Sequence, residues 1–150
     1  MIQQDYLMRL LLQFFQAMAR SWELNHNHDN PQEAADMIEA AIGNATDIDG
    51  TTLLSLSPDS IAQIMRVTDV DPRVTEYIAR SMLLESVYLA QAQQADLAVL
   101  RKEQARAIAA EYGFGLPDDP SDFESITEGL EKTALAEDPL GDLDYRFPSV

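Results

Sequence analysis

The chain has 150 residues, 46% hydrophobic and 24% charged, which suits one domain that buries its core without covalent staples. It has no cysteine, so disulfide scaffolds, thiol nucleophiles and cysteine zinc sites are excluded. A formal net charge of −16, from 26 acids against 10 bases, argues against partners bound through phosphates, whether nucleic acid or an anionic membrane.

The charge divides the chain into three. Residues 1–71 carry 11 acids and 3 bases, residues 72–114 carry 5 of each, and residues 115–150 carry 10 acids and 2 bases. The expected organisation is a helical domain over 1–114, followed by an acidic, largely irregular tail over 115–150. Pro117, Pro120, Pro139, Pro148, Gly115, Gly129 and Gly141 punctuate that tail. Such a composition suits either a solvated segment or an arm docked on the body or on a neighbour.

Residues 2–23 give the strongest helical pattern. At 100° per residue, Asp5, Arg9, Gln13, Gln16, Arg20 and Glu23 fall within about 80° of one another, and apolar side chains fill most of the remaining circumference. So narrow a polar stripe predicts a helix that is mostly covered, by its own bundle or by a second copy of the chain. Leu7, Leu11, Phe14, Phe15, Met18 and Trp22 are its expected core or contact residues. Leu10-Leu11-Leu12 and Phe14-Phe15 before Ala17-Met18-Ala19 superficially match a secretory leader. Gln13, Gln16 and the acidic Asp5 break that match, and the expected setting is the cytoplasm.

A polar loop is expected over Asn25–Asn30. Asn30 then reads as an N-cap, with Pro31 in the first helical position and Glu33 in the third. That helix runs to about Ala41, burying Ala34, Met37, Ile38 and Ala41, and ends at Gly43-Asn44. A short helical turn follows around Thr51–Leu56. Ser57-Pro58 starts another helix bearing Ile61, Ile64, Met65 and Val67, and Asp69–Pro72 breaks it and caps the next.

From Pro72 to Tyr112 no glycine or proline interrupts the chain. A single helix of that length would run about 60 Å, too long for a domain of this size. The reading is a helical hairpin turning within Ala90–Ala95. Val74, Tyr77, Ile78, Met82, Tyr88 and Leu89 line its first arm. Leu97, Leu100, Ile108 and Tyr112 line the second, with Ala98, Ala105 and Ala109 permitting close approach. The unit resembles one tetratricopeptide-like hairpin, although Lys102 stands where its second arm would carry an aromatic. A further marginal helix is expected over Asp122–Ala136, and Leu140, Leu143, Tyr145 and Phe147 punctuate what remains.

Chemistry-bearing motifs are sparse. His26-x-His28-Asp29 supplies ligand types suited to zinc or iron and is the one candidate metal site. Asp47-Ile48-Asp49-Gly50 looks like part of a calcium loop, but that register puts Ala45 and Leu56 where carboxylates are required. A turn capped by an aspartate remains. The sequence has no G-x-S-x-G, P-loop, G-x-G-x-x-G or H-E-x-x-H motif, so no enzymatic activity and no cofactor is expected. Arg73, Arg80, Arg101, Lys102 and Arg106 hold half of the bases and form a candidate receptor for an acidic segment, including the chain's own tail.

The opening Met1-Ile2-Gln3-Gln4-Asp5-Tyr6-Leu7-Met8-Arg9 is similar to the start of a bacterial domain family of unknown function. Members of that family begin with a near-identical M-I-Q-Q-D-Y-x-M-R stretch and continue as an all-helical chain with a tetratricopeptide-like hairpin. The resemblance implies an all-α fold and a bacterial cytoplasmic setting, and carries no catalytic residues. The expected function is a non-catalytic interaction or self-assembling scaffold protein, partnered by itself as a homodimer or by another protein. The alternatives are a metal-binding protein using His26, His28 and Asp29, and an acidic nucleic-acid mimic that occupies a basic partner.

Overall fold

The computed structural model describes residues 2–130, apart from 47, 69 and 129 and the side chains of 2–5. It is all-α. Seven helices and no strand occur among the described residues: α1 (Ile2–His28), α2 (Pro31–Thr46), α3 (Gly50–Leu54), α4 (Pro58–Val67), α5 (Pro72–Gln91), α6 (Ala95–Tyr112) and α7 (Phe123–Ile126).

Helix starts follow from caps. Asn30 Oδ1 accepts from the Glu33 amide at 3.2 Å while its own Nδ2 donates back to the Glu33 carboxylate at 2.8 Å. Asp49, Ser57, Asp71 and Asp122 cap α3, α4, α5 and α7 in the same way, each accepting an amide of the first turn. Proline occupies an early helical position in α2, α4 and α5, where its missing N–H costs no intrahelical bond. Gly113, at φ 78°, closes α6 in the left-handed conformation.

Helix ends depart from the sequence reading. The expected loop over Asn25–Asn30 is instead the last turn of α1, which stops at Asp29 with φ 49°. Two contacts hold that turn: His26 stacks on Trp22 one turn back, and Asn25 Nδ2 donates to Gln91 Oε1 at 2.6 Å. Likewise α2 runs through Gly43 to Thr46. A Cβ on Gly43 would lie 3.3 Å from the Gly50 amide nitrogen, and one on Gly50 would lie 2.7 Å from the Glu39 carbonyl oxygen. These two glycines let the end of α2 and the start of α3 meet backbone to backbone. The Asp122–Ala136 expectation resolves to α7 in its described part; residues 131–136, together with Leu140, Leu143, Tyr145 and Phe147, lie outside the described residues.

Helix α5 is the centre of the bundle. It packs on α6 across a tight turn, on α2, on α1 and on α7, while α4 covers α6 and α3 lies on α2. Val74, Tyr77, Ile78, Met82, Tyr88 and Leu89 are all buried, as the periodicity predicts, but so are Ser81, Leu83, Leu84, Glu85 and Ser86. α6 turns inward Ile108 and the alanines expected there, and keeps Leu100 and Tyr112 half-buried. Ala98, Ala105, Ile108 and Ala109 meet the core together with Arg101 and Gln104, whereas Leu97 and Val99 are exposed. On α2 the buried set is Ala34, Ala35, Ile38 and Ile42, with Met37 and Ala41 half-buried.

Residues 115–130 return to the bundle. Phe123 stacks on Trp22 with ring centroids 5.0 Å apart, and Ile126 and Leu130 are buried. Arg80 Nη1 donates to the carbonyls of Ser125 and Ile126 at 3.1 and 2.8 Å, and the Tyr77 hydroxyl donates to the Leu130 carbonyl.

Candidate functional site

The first helix divides along its length. Leu11, Phe14, Phe15 and Met18 point into the core, where Phe14 meets Tyr77 edge-on at 6.2 Å, so these four are core and leave no area for a partner. Leu7 and Trp22 are half-buried, and Trp22 stacks with both Phe123 and His26. Tyr6 is 60% exposed, and Met8, Leu10 and Leu12 stay partly open on both flanks of the core stripe.

For Tyr6 and Met8 the reason is length. α1 has 27 residues and its antiparallel neighbour α2 has 16, so at 1.5 Å per residue α1 overhangs by roughly 16 Å. Where α1 and α2 do run together, a shallow groove of about 180 Å³ opens between them. Leu10, Phe14 and Ala17 line it from one side, and Met37, Ala40 and Ala41 from the other. Residues 6–19 hold one charged side chain, Arg9, and no carboxylate, in a chain of net charge −16.

A second, more polar cleft of about 500 Å³ adjoins the groove and shares Ala40 and Asn44 with it. Asp36, Glu39 and Asp49 line it, around the Gly43–Gly50 crossing.

The histidines do not gather. Two residues apart on a helix, His26 and His28 project about 200° from each other, and both are exposed. Asp29 follows in the left-handed region. No group of three or more metal-ligating side chains comes together among the described residues.

Most of the candidate basic receptor is engaged within the fold. Arg101 is only 4% exposed. Its Nη1 donates to the Leu54 carbonyl at 2.9 Å and its Nη2 to Glu39 Oε2 at 3.2 Å, while its Nε lies 3.2 Å from Glu85 Oε1. Gln104 seals the same place by donating to the carbonyls of Leu54 and Leu56 at 3.0 and 2.7 Å. Arg80 pairs with Glu76 at 3.0 Å besides holding α7, and Arg73 pairs with Asp71 at 3.3 Å. Lys102 is half-buried and Arg106 exposed, so the five bases do not form one open patch.

The sequence reading missed Tyr6, Met8, Leu10 and Leu12 as the open part of α1. For Tyr6 and Met8 the signal was present in the unequal lengths of the two helices. It also missed Glu85, whose setting in Leu83-Leu84-Glu85-Ser86 reads as an ordinary helix surface position.

No known protein family, curated protein or solved structure matches this chain. Among the described residues no helix is long and apolar enough to cross a membrane.

Proposed function

We propose that this protein is a non-catalytic assembly protein that pairs with a second copy of itself through the N-terminal half of α1 and the groove beside it. The observation that supports this is the apolar stretch 6–19 of α1, which holds no carboxylate and leaves Tyr6, Met8, Leu10 and Leu12 partly open. Two chains of net charge −16 repel, and this stretch is where they approach with least opposition. Ala17, Ala40 and Ala41 let a helix lie close in the groove. A bacterial cytoplasmic setting is part of the proposal and rests on the opening motif alone.

Light scattering on a sizing column tests it with the full chain and with Tyr6→Glu/Leu10→Glu. The expected result is twice the chain mass at tens of micromolar, falling to a single chain in the variant with helical content retained. A single-chain mass for the wild type up to hundreds of micromolar overturns self-assembly. The acidic cleft next to the groove favours a second reading, a basic partner seated on Asp36 and Asp49. That reading predicts capture lost as salt is raised, whereas apolar pairing persists.

A further inference from the structure

Glu85 is 0% exposed, in the middle of the central helix. Two charged groups act on it: Arg101 from α6 and Glu39 from α2, with none from α1 or α7 among the described residues. Arg101 is a single cation between two carboxylates, and its geometry favours Glu39. Nη2 makes a hydrogen bond to Glu39 Oε2, whereas Nε stands 3.2 Å from Glu85 Oε1 without the alignment of one. As an ionised group, Glu85 has Arg101 Nε as its one nearby cation and no well-aligned donor on either oxygen. A buried carboxylate in that state is among the costliest arrangements a core can hold. As a carboxylic acid it becomes a donor itself, and the Glu39 carboxylate is the acceptor within reach.

The geometry points to a proton latch: Glu85 and Glu39 hold one proton between them beside Arg101, and its loss loosens the joint of α2, α5 and α6. Burial, the largest influence, pushes the Glu85 carboxyl well above the usual carboxylate range. Arg101 opposes this, and the bond and charge of Glu39 add to it. Glu39 also lines the acidic cleft between α2 and α3, so it links the buried acid to solvent. When the proton leaves, two negative charges face one guanidinium inside the bundle. The Leu54 carbonyl, bound by both Arg101 and Gln104, ties α3 to the same point. The opening therefore falls where α3 and α6 close over α2.

The sign follows from linkage. A carboxyl whose folded-state pKa is raised gives stability that is complete below its ordinary value near 4.5 and is lost as pH rises through the raised one. Urea midpoints of the full chain from pH 5 to pH 8, for wild type and Glu85→Gln, read this directly. Subtracting the two curves removes the contribution of the other acids. The wild-type midpoint should fall relative to the variant as pH rises, leaving Glu85→Gln the more resistant at pH 8. An ordinary Glu85–Arg101 ion pair predicts the reverse, a variant weaker at every pH and most so at pH 8, and that result overturns the latch. Carbon NMR of the side-chain carboxyls in the wild type decides even if the variant does not fold. Glu85 should titrate well above the other glutamates, and titration among them overturns the proposal.

Discussion

The N-terminal half of α1 and the whole of α5 look alike as sequence, two long helical runs dominated by apolar residues, yet they meet opposite fates. α5 lies under four other helices and takes Ser81, Glu85 and Ser86 into the core with its hydrophobes. α1 leaves Tyr6, Met8, Leu10 and Leu12 partly open, the first two where it reaches past α2. Apolar content therefore does not decide burial here; the number of neighbours an element acquires does. The polar residues of α5 also show what burial demands. Ser81 and Ser86 satisfy themselves by donating to the carbonyls of Ile78 and Leu83 at 2.8 and 2.5 Å, three residues back. Glu85 has no such local solution and depends on α2 and α6.

The sharpest break in this contrast is Arg101→Ala. It leaves Glu85 and Glu39 facing each other without a cation and frees the Leu54 carbonyl of one donor, so urea unfolding at pH 7 should show a loss of about 3–5 kcal/mol. Next comes a matched pair. Leu84→Ala in α5 should cost about 2–5 kcal/mol, whereas Leu12→Ala on the open flank of α1 should cost about 1 kcal/mol or less. If α1 pairs with a second copy, the cost of Leu12→Ala rises with protein concentration and that of Leu84→Ala does not. Arg80→Ala tests whether the cover over α5 is held by specific bonds. Loss of its donors to Ser125 and Ile126 should lower stability by about 1–3 kcal/mol and expose Trp22, seen as a red shift of its fluorescence. Last is Ser57→Ala at the start of α4, remote from both regions, at about 1 kcal/mol.

The burial of α5 is also visible at high pH. Tyr88 is enclosed, its hydroxyl paired with Ser21 Oγ at 2.9 Å, and burial pushes its phenol well above the usual range against the smaller opposing effect of that bond. Stability supplied by the neutral phenol is lost as pH rises through the raised value. In an ultraviolet titration this tyrosine should ionise only as the bundle opens, and ordinary ionisation in folded protein would contradict its enclosure.

Helix starts were legible because they are local: Asn30-Pro31, Ser57-Pro58 and Asp71-Pro72 cap themselves with side chains close in sequence. Helix ends were less so, because tertiary contacts overrode the breakers at Asn25–His28 and at Gly43. The hairpin turn was readable from length alone, as were Ile108 and the alanines facing inward on α6, but not the polar part of that face. Its burial of Arg101 and Gln104 in place of Leu97 depends on a Leu54 carbonyl nearly fifty residues away. The open surface of α1 was half legible: the excess of apolar side chains showed in the sequence, while which of them stay open required knowing where α2 ends.

The stack of Phe123 on Trp22 has a consequence in time. During synthesis α1 emerges first, but one face of its indole waits until almost the whole described chain has followed. Until then Arg80 and Tyr77 also lack the carbonyls they bind. The nascent bundle thus carries an open aromatic seam along α1 and α5, the stretch where a half-made chain is most prone to join another.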